Sequence, residues 1–321
     1  MSVSRRRFIG SAAALGLSSP LAARAQALRP LTLQAAWIND AEFMGYFIAM
    51  EKGWYKDEGL ELKYLPGGPD VVPEASVLSK KADVALSTVE TVVKAITTQK
   101  APLVIIGAQY QKNPIGVVSL ATRPIRTPKD LIGKTIAVPP VNRLTVEAML
   151  KLNGIDQSKV RIVPYAYDPT PLLKGEIDAS LDFTTNVPYT IKTKGAEATS
   201  FLLADFKLPL FNDVVVVTKQ TLATRRADLI GFLRASRKGW DENFKDAAAY
   251  PPKYADSWFK GTGRSIDNEV YFNGAQKSLI QHPKGVFTMS EESIKACIDA
   301  LKAVDVKADR SHFDTTLLEK V

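Results

Sequence analysis

One cysteine and two histidines are all that this chain of 321 residues offers a soft or borderline metal. Cys297 alone cannot close an internal disulfide, and no CxxC, HExxH or His-rich tract forms around Cys297, His282 and His312. A GxSxG nucleophile turn and a phosphate-cradling P-loop are both missing, so the sequence holds little that catalysis could use and implies no cofactor. Cys297 sits in the helical pattern Ser293-Ile294-Lys295-Ala296-Cys297-Ile298 and is expected as a small core residue. Clustered positive charge is also lacking. Lysines and arginines alternate with acids, as in Glu51-Lys52 and Lys56-Asp57-Glu58. The formal charge of +8 falls to +4 once residues 1–25, with four arginines and no acids, are set aside. That distribution describes solvated helix faces and excludes a nucleic-acid partner.

What is present begins at the N terminus. Ser4-Arg5-Arg6-Arg7-Phe8-Ile9-Gly10 resembles a twin-arginine export signal. It precedes the short apolar run Ser11-Ala12-Ala13-Ala14-Leu15-Gly16-Leu17 and the small-x-small site Ala23-Arg24-Ala25, which places cleavage before Gln26. The rival readings are a basic arm or a retained membrane anchor, but the run is well short of the roughly 20 apolar residues a span requires. With no cysteine near the cleavage site, a lipid anchor is not expected. Residues 1–25 are therefore expected as a signal peptide, with the twin-arginine export machinery as partner and a folded, soluble periplasmic protein as product.

Beyond Gln26, short β-branched runs alternate with amphipathic stretches. Strands are expected at 31–37, 60–65, 83–86 and 103–107, with helices at 42–52, 72–80 and 88–98 between them. The rhythm restarts with strands at 134–138, 160–164, 177–183 and 214–217 and helices at 141–153, 171–174 and 187–194, and residues 225–301 read as almost wholly helical. This order implies an α/β fold of two lobes, each with a mostly parallel sheet covered by helices. Residues 26–110 with 211–321 form one lobe and 111–210 the other, joined by two crossings near Tyr110 and Phe211 that permit hinge closure.

Trp37-Ile38-Asn39-Asp40-Ala41-Glu42-Phe43-Met44-Gly45-Tyr46 continuing to Lys52-Gly53-Trp54-Tyr55-Lys56-Asp57-Glu58-Gly59-Leu60 resembles the opening of the NMT1/THI5-like solute-binding proteins. Ala82-Asp83-Val84-Ala85, Leu131-Ile132-Gly133-Lys134-Thr135-Ile136-Ala137-Val138 and Leu173-Lys174-Gly175-Glu176-Ile177-Asp178-Ala179 follow in the family's order, so the resemblance spans roughly residues 31–220. It implies a type II periplasmic-binding-protein fold and a monomeric receptor that passes a small-molecule solute to the permease and ATPase subunits of an ABC importer. Pyrimidine precursors of thiamine and riboflavin-like precursors occur as ligands in that family; nitrate, taurine and sulfonates belong to its relatives. The family also holds a pyrimidine synthase, whose cysteine-rich iron site and sacrificial histidine have no counterpart in a chain with one Cys and two His.

Ligands of open α/β sheets bind beyond the carboxyl ends of the strands, where helix N-termini expose N–H groups. That rule selects Trp37, Asn39, Glu42, Phe43, Ser87, Thr88 and Gln109 in the first lobe, and Asn142, Arg143, Asp168, Asp182 and Asn186 in the second. Tyr167 and the stretch Phe211-Asn212-Asp213 lie at neighbouring strand ends. Trp37 suits either a ring-stacking wall or a core. Ser87-Thr88-Val89-Glu90 fits a capping box with Ser87 as cap, and Asn142 and Asn186 also suit helix caps. Pro139-Pro140 removes N–H donors from the loop before Asn142, and Asp40, Glu42, Asp168, Asp182 and Asp213 would repel an anion. A ring-bearing solute, neutral or with amine donors and held between aromatics, is expected, and Arg143 leaves room for an anionic group on it.

Overall fold

The computed structural model describes residues 27–165 and 167–321, together with Met1. The signal-peptide expectation therefore falls outside the described residues. Among the described residues, ten strands build two sheets. The first contains β1 (Arg29–Gln34), β2 (Leu60–Leu65), β3 (Val84–Ser87), β4 (Leu103–Tyr110) and β10 (Asn212–Thr218) in the order β2-β1-β3-β10-β4. The second contains β5 (Ile115–Leu120), β6 (Thr135–Val138), β7 (Arg161–Pro164), β8 (Ala179–Phe183) and β9 (Ala198–Leu202) in the order β7-β6-β8-β5-β9. The chain passes from the first sheet to the second through residues 111–114 and returns through 203–211. Both sheets are packed with helices, giving the two α/β lobes and paired crossings expected.

The sheets are mostly parallel as expected, but each contains one reversed strand and is therefore mixed. β1 runs parallel to β2 and β3, but β10 lies antiparallel between β3 and β4; β5 lies antiparallel between β8 and β9. β5 and β9 carry no legible strand pattern. Ile115-Gly116-Val117-Val118-Ser119-Leu120 is buried on both faces and so lacks alternation, while β9 is a short edge strand of mixed polarity. The C-terminal third is less helical than expected: helices Arg226–Asn243, Ile266–Ala275, Lys277–Ile280 and Glu291–Ala303 are separated by turns and short 3₁₀ segments. Among the described residues, no helix is long and apolar enough to cross a membrane.

The first lobe owes its shape to a close helix crossing. Helix Met44–Glu51 lies against Arg226–Asn243, and a Cβ added at Gly239 would fall 1.9 Å from the Gly45 carbonyl oxygen. A Cβ at Gly45 would likewise meet the Trp240 indole at 2.5 Å. Around this contact Tyr46, Phe47, Phe232 and Trp240 are fully enclosed, and apolar burial of this kind supplies most of the folding free energy. Cys297 is completely buried on helix Glu291–Ala303, and burial pushes its thiol up to about 12, as befits the core role expected. Gly239→Ala is expected to force the two helices apart and lower stability by about 1–3 kcal/mol or more, measured by urea denaturation.

Candidate functional site

The strand ends of the two lobes face each other, and aromatic rings meet there. After β1 the chain is pinned by Gly67, whose N–H donates to the Trp37 carbonyl at 2.8 Å. A Cβ at Gly67 would sit 2.5 Å from Ala35 O and from Trp37 N, so only glycine allows this approach. The pinned loop presents the half-buried Trp37 ring to Tyr167 of the second lobe, with centroids 5.4 Å apart and planes tilted by 56°. Tyr167 follows β7 and holds φ at +60°, a left-handed conformation unfavourable for a bulky residue. Such backbone strain is characteristic of ligand clamps. Tyr165 stands behind it at 5.9 Å. The first lobe thus supplies one ring and the second lobe two to a closed interlobe slot, whose rings touch one another and leave no room between them for a further ring while the lobes are together.

Beside the slot, strand alternation on β8 turns Ser180 and Asp182 to the same face, where Ser180 Oγ donates to Asp182 Oδ2 at 2.6 Å. Burial pushes the Asp182 carboxyl up to about 7, against the lowering influence of the Ser180 and Tyr165 hydroxyls. The Tyr165 hydroxyl, next to this carboxyl, is outside good hydrogen-bond geometry. Thr185 Oγ1 is also buried and unpartnered, as are the side-chain oxygens of Asn39, Gln109 and Asn212 in the first lobe. Buried polar atoms are ordinarily satisfied, so a group of exceptions at facing strand ends marks a place where partners arrive from outside. Three of these exceptions are amide oxygens, which accept only and therefore ask for donors.

Under the first-lobe wall lies a layer of buried acids. Asp40, Glu42, Asp213 and Glu269 are each at most 3% exposed. Gln109 Nε2 donates to the Glu42 carbonyl at 2.8 Å and to Asp213 Oδ2 at 3.0 Å. The carboxyls of Glu42 and Asp213 adjoin, and burial followed by the Asp213 charge drives Glu42 well above the usual carboxylate range. Arg264 Nη1 meets Asp40 Oδ2 at 3.0 Å, and Glu269 Oε2 accepts from the Ala41 N–H at 2.6 Å. Asp213 itself holds φ at +45° where the chain re-enters the first sheet.

The predicted residues divide accordingly. Trp37 and Asp182 lie at the slot, and Asn39 shares the loop of Trp37, whereas Asn186 sits apart from it against Arg264 and Asn268. Glu42 and Gln109 lie beneath it in the acid layer. Phe43 is fully enclosed in the core, edge-on to Tyr64 at 6.2 Å, and offers no wall to a solute. Ser87 donates to Glu74 and is almost wholly buried, and the cap of helix Val89–Gln99 is Thr88, whose Oγ1 accepts from the Thr91 N–H at 3.3 Å. Asn142 makes no side-chain cap bond. Arg143 is exposed and bonds Glu147 at 2.8 Å along its own helix, while exposed Asp168 caps Thr170 at 2.9 Å instead of facing the slot. Thr170 hydrogen bonds hold the Asp168 carboxyl below its ordinary value. Tyr165, Ser180, Arg264 and Glu269 were missed. The alternation Ser180-Leu181-Asp182 carried the signal for Ser180, whereas Arg264 sits in a turn with no periodic pattern.

A groove of about 510 Å³ also opens on one flank, lined by residues such as Leu78, Lys94, Leu144 and Val306. It has no aromatic lining and offers a planar ring nothing to stack on. No group of three or more His, Cys, Asp or Glu suited to a metal occurs among the described residues.

Two mixed sheets joined by paired crossings, with a slot between their strand ends, define the class: this is a periplasmic-binding-protein fold. The Escherichia coli periplasmic aliphatic sulphonate binding protein superposes with a TM-score of 0.64 at 12% identity, covering 85% of this chain and 91% of that one. A family model described as NMT1/THI5 like matches residues 40–249, and the chain belongs to that family. A formylaminopyrimidine-binding protein from Halalkalibacterium halodurans is 24% identical over 222 residues, 67% of each chain. The riboflavin-binding protein RibY of Chloroflexus aurantiacus is 24% identical over 66% of this chain and 62% of its own length. A 4-amino-5-hydroxymethyl-2-methylpyrimidine phosphate synthase from Legionella pneumophila shares 24% identity over 65% of this chain and 67% of its own.

A carboxyl raised by burial binds its proton more tightly in the folded than in the unfolded chain. Its contribution to stability is complete below the unfolded value near pH 4 and is lost as pH rises to about 7, a difference of about 4 kcal/mol at most for Asp182. The melting temperature is expected to fall between pH 5 and pH 8. Asp182→Asn should reduce that fall, and an identical pH profile in the variant would show that Asp182 titrates normally.

Proposed function

We propose that this protein is the extracytoplasmic receptor of an ABC importer and captures a ring-bearing solute of the thiamine-pyrimidine or riboflavin-precursor type. The observation that carries the proposal is the slot itself: Trp37 from one lobe opposite Tyr167 from the other, with the Asp182 carboxyl at its side. With the lobes parted, a planar ring entering between them would bury both its faces, while its amine or N–H donors would meet Asp182, Asn39 and Asn212. Hinge closure at 111–114 and 203–211 would expel water from those contacts and strengthen them. The pyrimidine and flavin named for two relatives are rings of this kind.

Nitrate, taurine and sulfonates suit the site less well. Pro139 and Pro140 withhold N–H groups at the end of β6, buried acids underlie Trp37, and Arg143 is engaged with Glu147. The protein is read as non-catalytic: Cys297 is sealed in a helix, and neither His282 nor His312 belongs to the loops that form the slot. A monomer working with permease and ATPase subunits, exported by the twin-arginine machinery and released into the periplasm by cleavage before Gln26, completes the proposal.

A thermal-shift series decides the ligand class. Formylaminopyrimidine or riboflavin is expected to raise the melting temperature, because a ligand at a hundred times its Kd adds about 2.7 kcal/mol to folding. Stabilisation by taurine or nitrate alone would reject the ring-bearing class. Trp37→Ala and Tyr167→Ala should each weaken binding by about three- to tenfold, the value of one aromatic contact. Replacing Arg5 and Arg6 together by Lys is expected to hold the protein in the cytoplasm; periplasmic recovery equal to wild type would refute export by that route.

A further inference from the structure

Away from the slot, the lobes meet a second time. Helix Val187–Thr193 of the second lobe faces helix Ile266–Ala275 of the first. Asn268 Nδ2 donates to Thr190 Oγ1 across this seam at 3.0 Å. With its amide oxygen toward Arg264, Asn186 accepts from Arg264 Nη1 at 2.6 Å and its amide nitrogen donates to Asn268 Oδ1 at 2.7 Å. The partners therefore alternate between lobes: Arg264, Asn186, Asn268, Thr190. Tyr189 and Tyr271 stack alongside with centroids 5.0 Å apart, and Phe183 meets Phe272 edge-on at 6.3 Å.

The seam is built more like an interior than a chance surface contact. Asn186 and Asn268 are more than nine-tenths buried, so separating the lobes would strip each of its partner. Its root is also rigid. Arg264 is held by Asp40, whose Oδ1 accepts the Glu42 N–H at 2.9 Å, and Glu269 takes the neighbouring Ala41 N–H. Asp40 belongs to the same loop as Trp37 and Asn39. Closure at the seam and placement of the slot's first wall are thus fixed through one guanidinium.

We propose that this seam is an interlobe clasp, in which Arg264 and Asn268 act as positioning residues that set how much of the receptor is closed. The clasp rests on the solute-binding proposal only for its consequence: apparent affinity is the intrinsic affinity scaled by the fraction in the binding-competent form. Contacts that never reach the solute then control how long it stays.

The test compares wild type with Asn268→Ala/Tyr271→Ala, with Asn268→Ala/Tyr271→Phe, which keeps the stacked ring, and with Thr190→Val, which removes the acceptor but keeps the shape. Small-angle scattering in buffer alone is expected to give a larger radius of gyration for the double Ala variant, with the Phe-bearing variant between it and wild type. Formylaminopyrimidine should dissociate roughly tenfold faster from the double Ala variant, the effect appearing in the off-rate. An unchanged radius in variants that melt cooperatively would overturn the clasp. If the double Ala variant fails to fold, Thr190→Val decides in the same sense. If formylaminopyrimidine fails to bind wild type, the ligand proposal falls while the scattering comparison still judges the clasp.

Discussion

The pairing of β10 with β4 constrains the rest of the molecule. Asn212 lies opposite Tyr110, so the strand that returns to the first sheet starts beside the strand that has just left it. Both crossings therefore leave from neighbouring points on one sheet edge, and two adjacent connections permit rotation about a common line far more readily than sliding. The proposed site lies along that line. The loop after β1, the turns after β7 and β8, and Asp213 at the start of β10 all border the gap that such a rotation opens and shuts.

A second constraint is electrostatic. Four buried carboxyls lie together, of which Asp40 and Glu269 pair with the Arg264 guanidinium, and burying an ionised acid without a partner is costly. Burial accordingly raises the proton affinity of each of the four. Gln109 shows the arrangement: its amide nitrogen is committed to Glu42 and Asp213, which leaves its oxygen unpartnered.

Much of the architecture was legible because it rests on periodicity. Strands such as Leu60–Leu65 alternate, and helix ends carry glycine or a capping hydroxyl, so most elements of the first lobe appear within a few residues of where pattern places them. Where periodicity failed, burial was the reason: β5 is enclosed on both faces and reads as no pattern at all. The site was legible only in part. A strand-end rule finds Trp37 and Asp182, yet it cannot tell a side chain aimed into the gap from one folded back on its own helix, as Arg143 is toward Glu147. Nor can it find Arg264, which reaches the second lobe from a turn more than 200 residues beyond Trp37 in the chain.

The position of Cys297 has a consequence for how the molecule matures. The one sulfhydryl is walled in by core side chains and held protonated at neutral pH, so neither glutathione nor an oxidase can reach it without unfolding the chain. The native shape is consequently indifferent to redox potential. It can be completed on either side of a membrane, and it needs no disulfide chemistry to persist in an oxidising space.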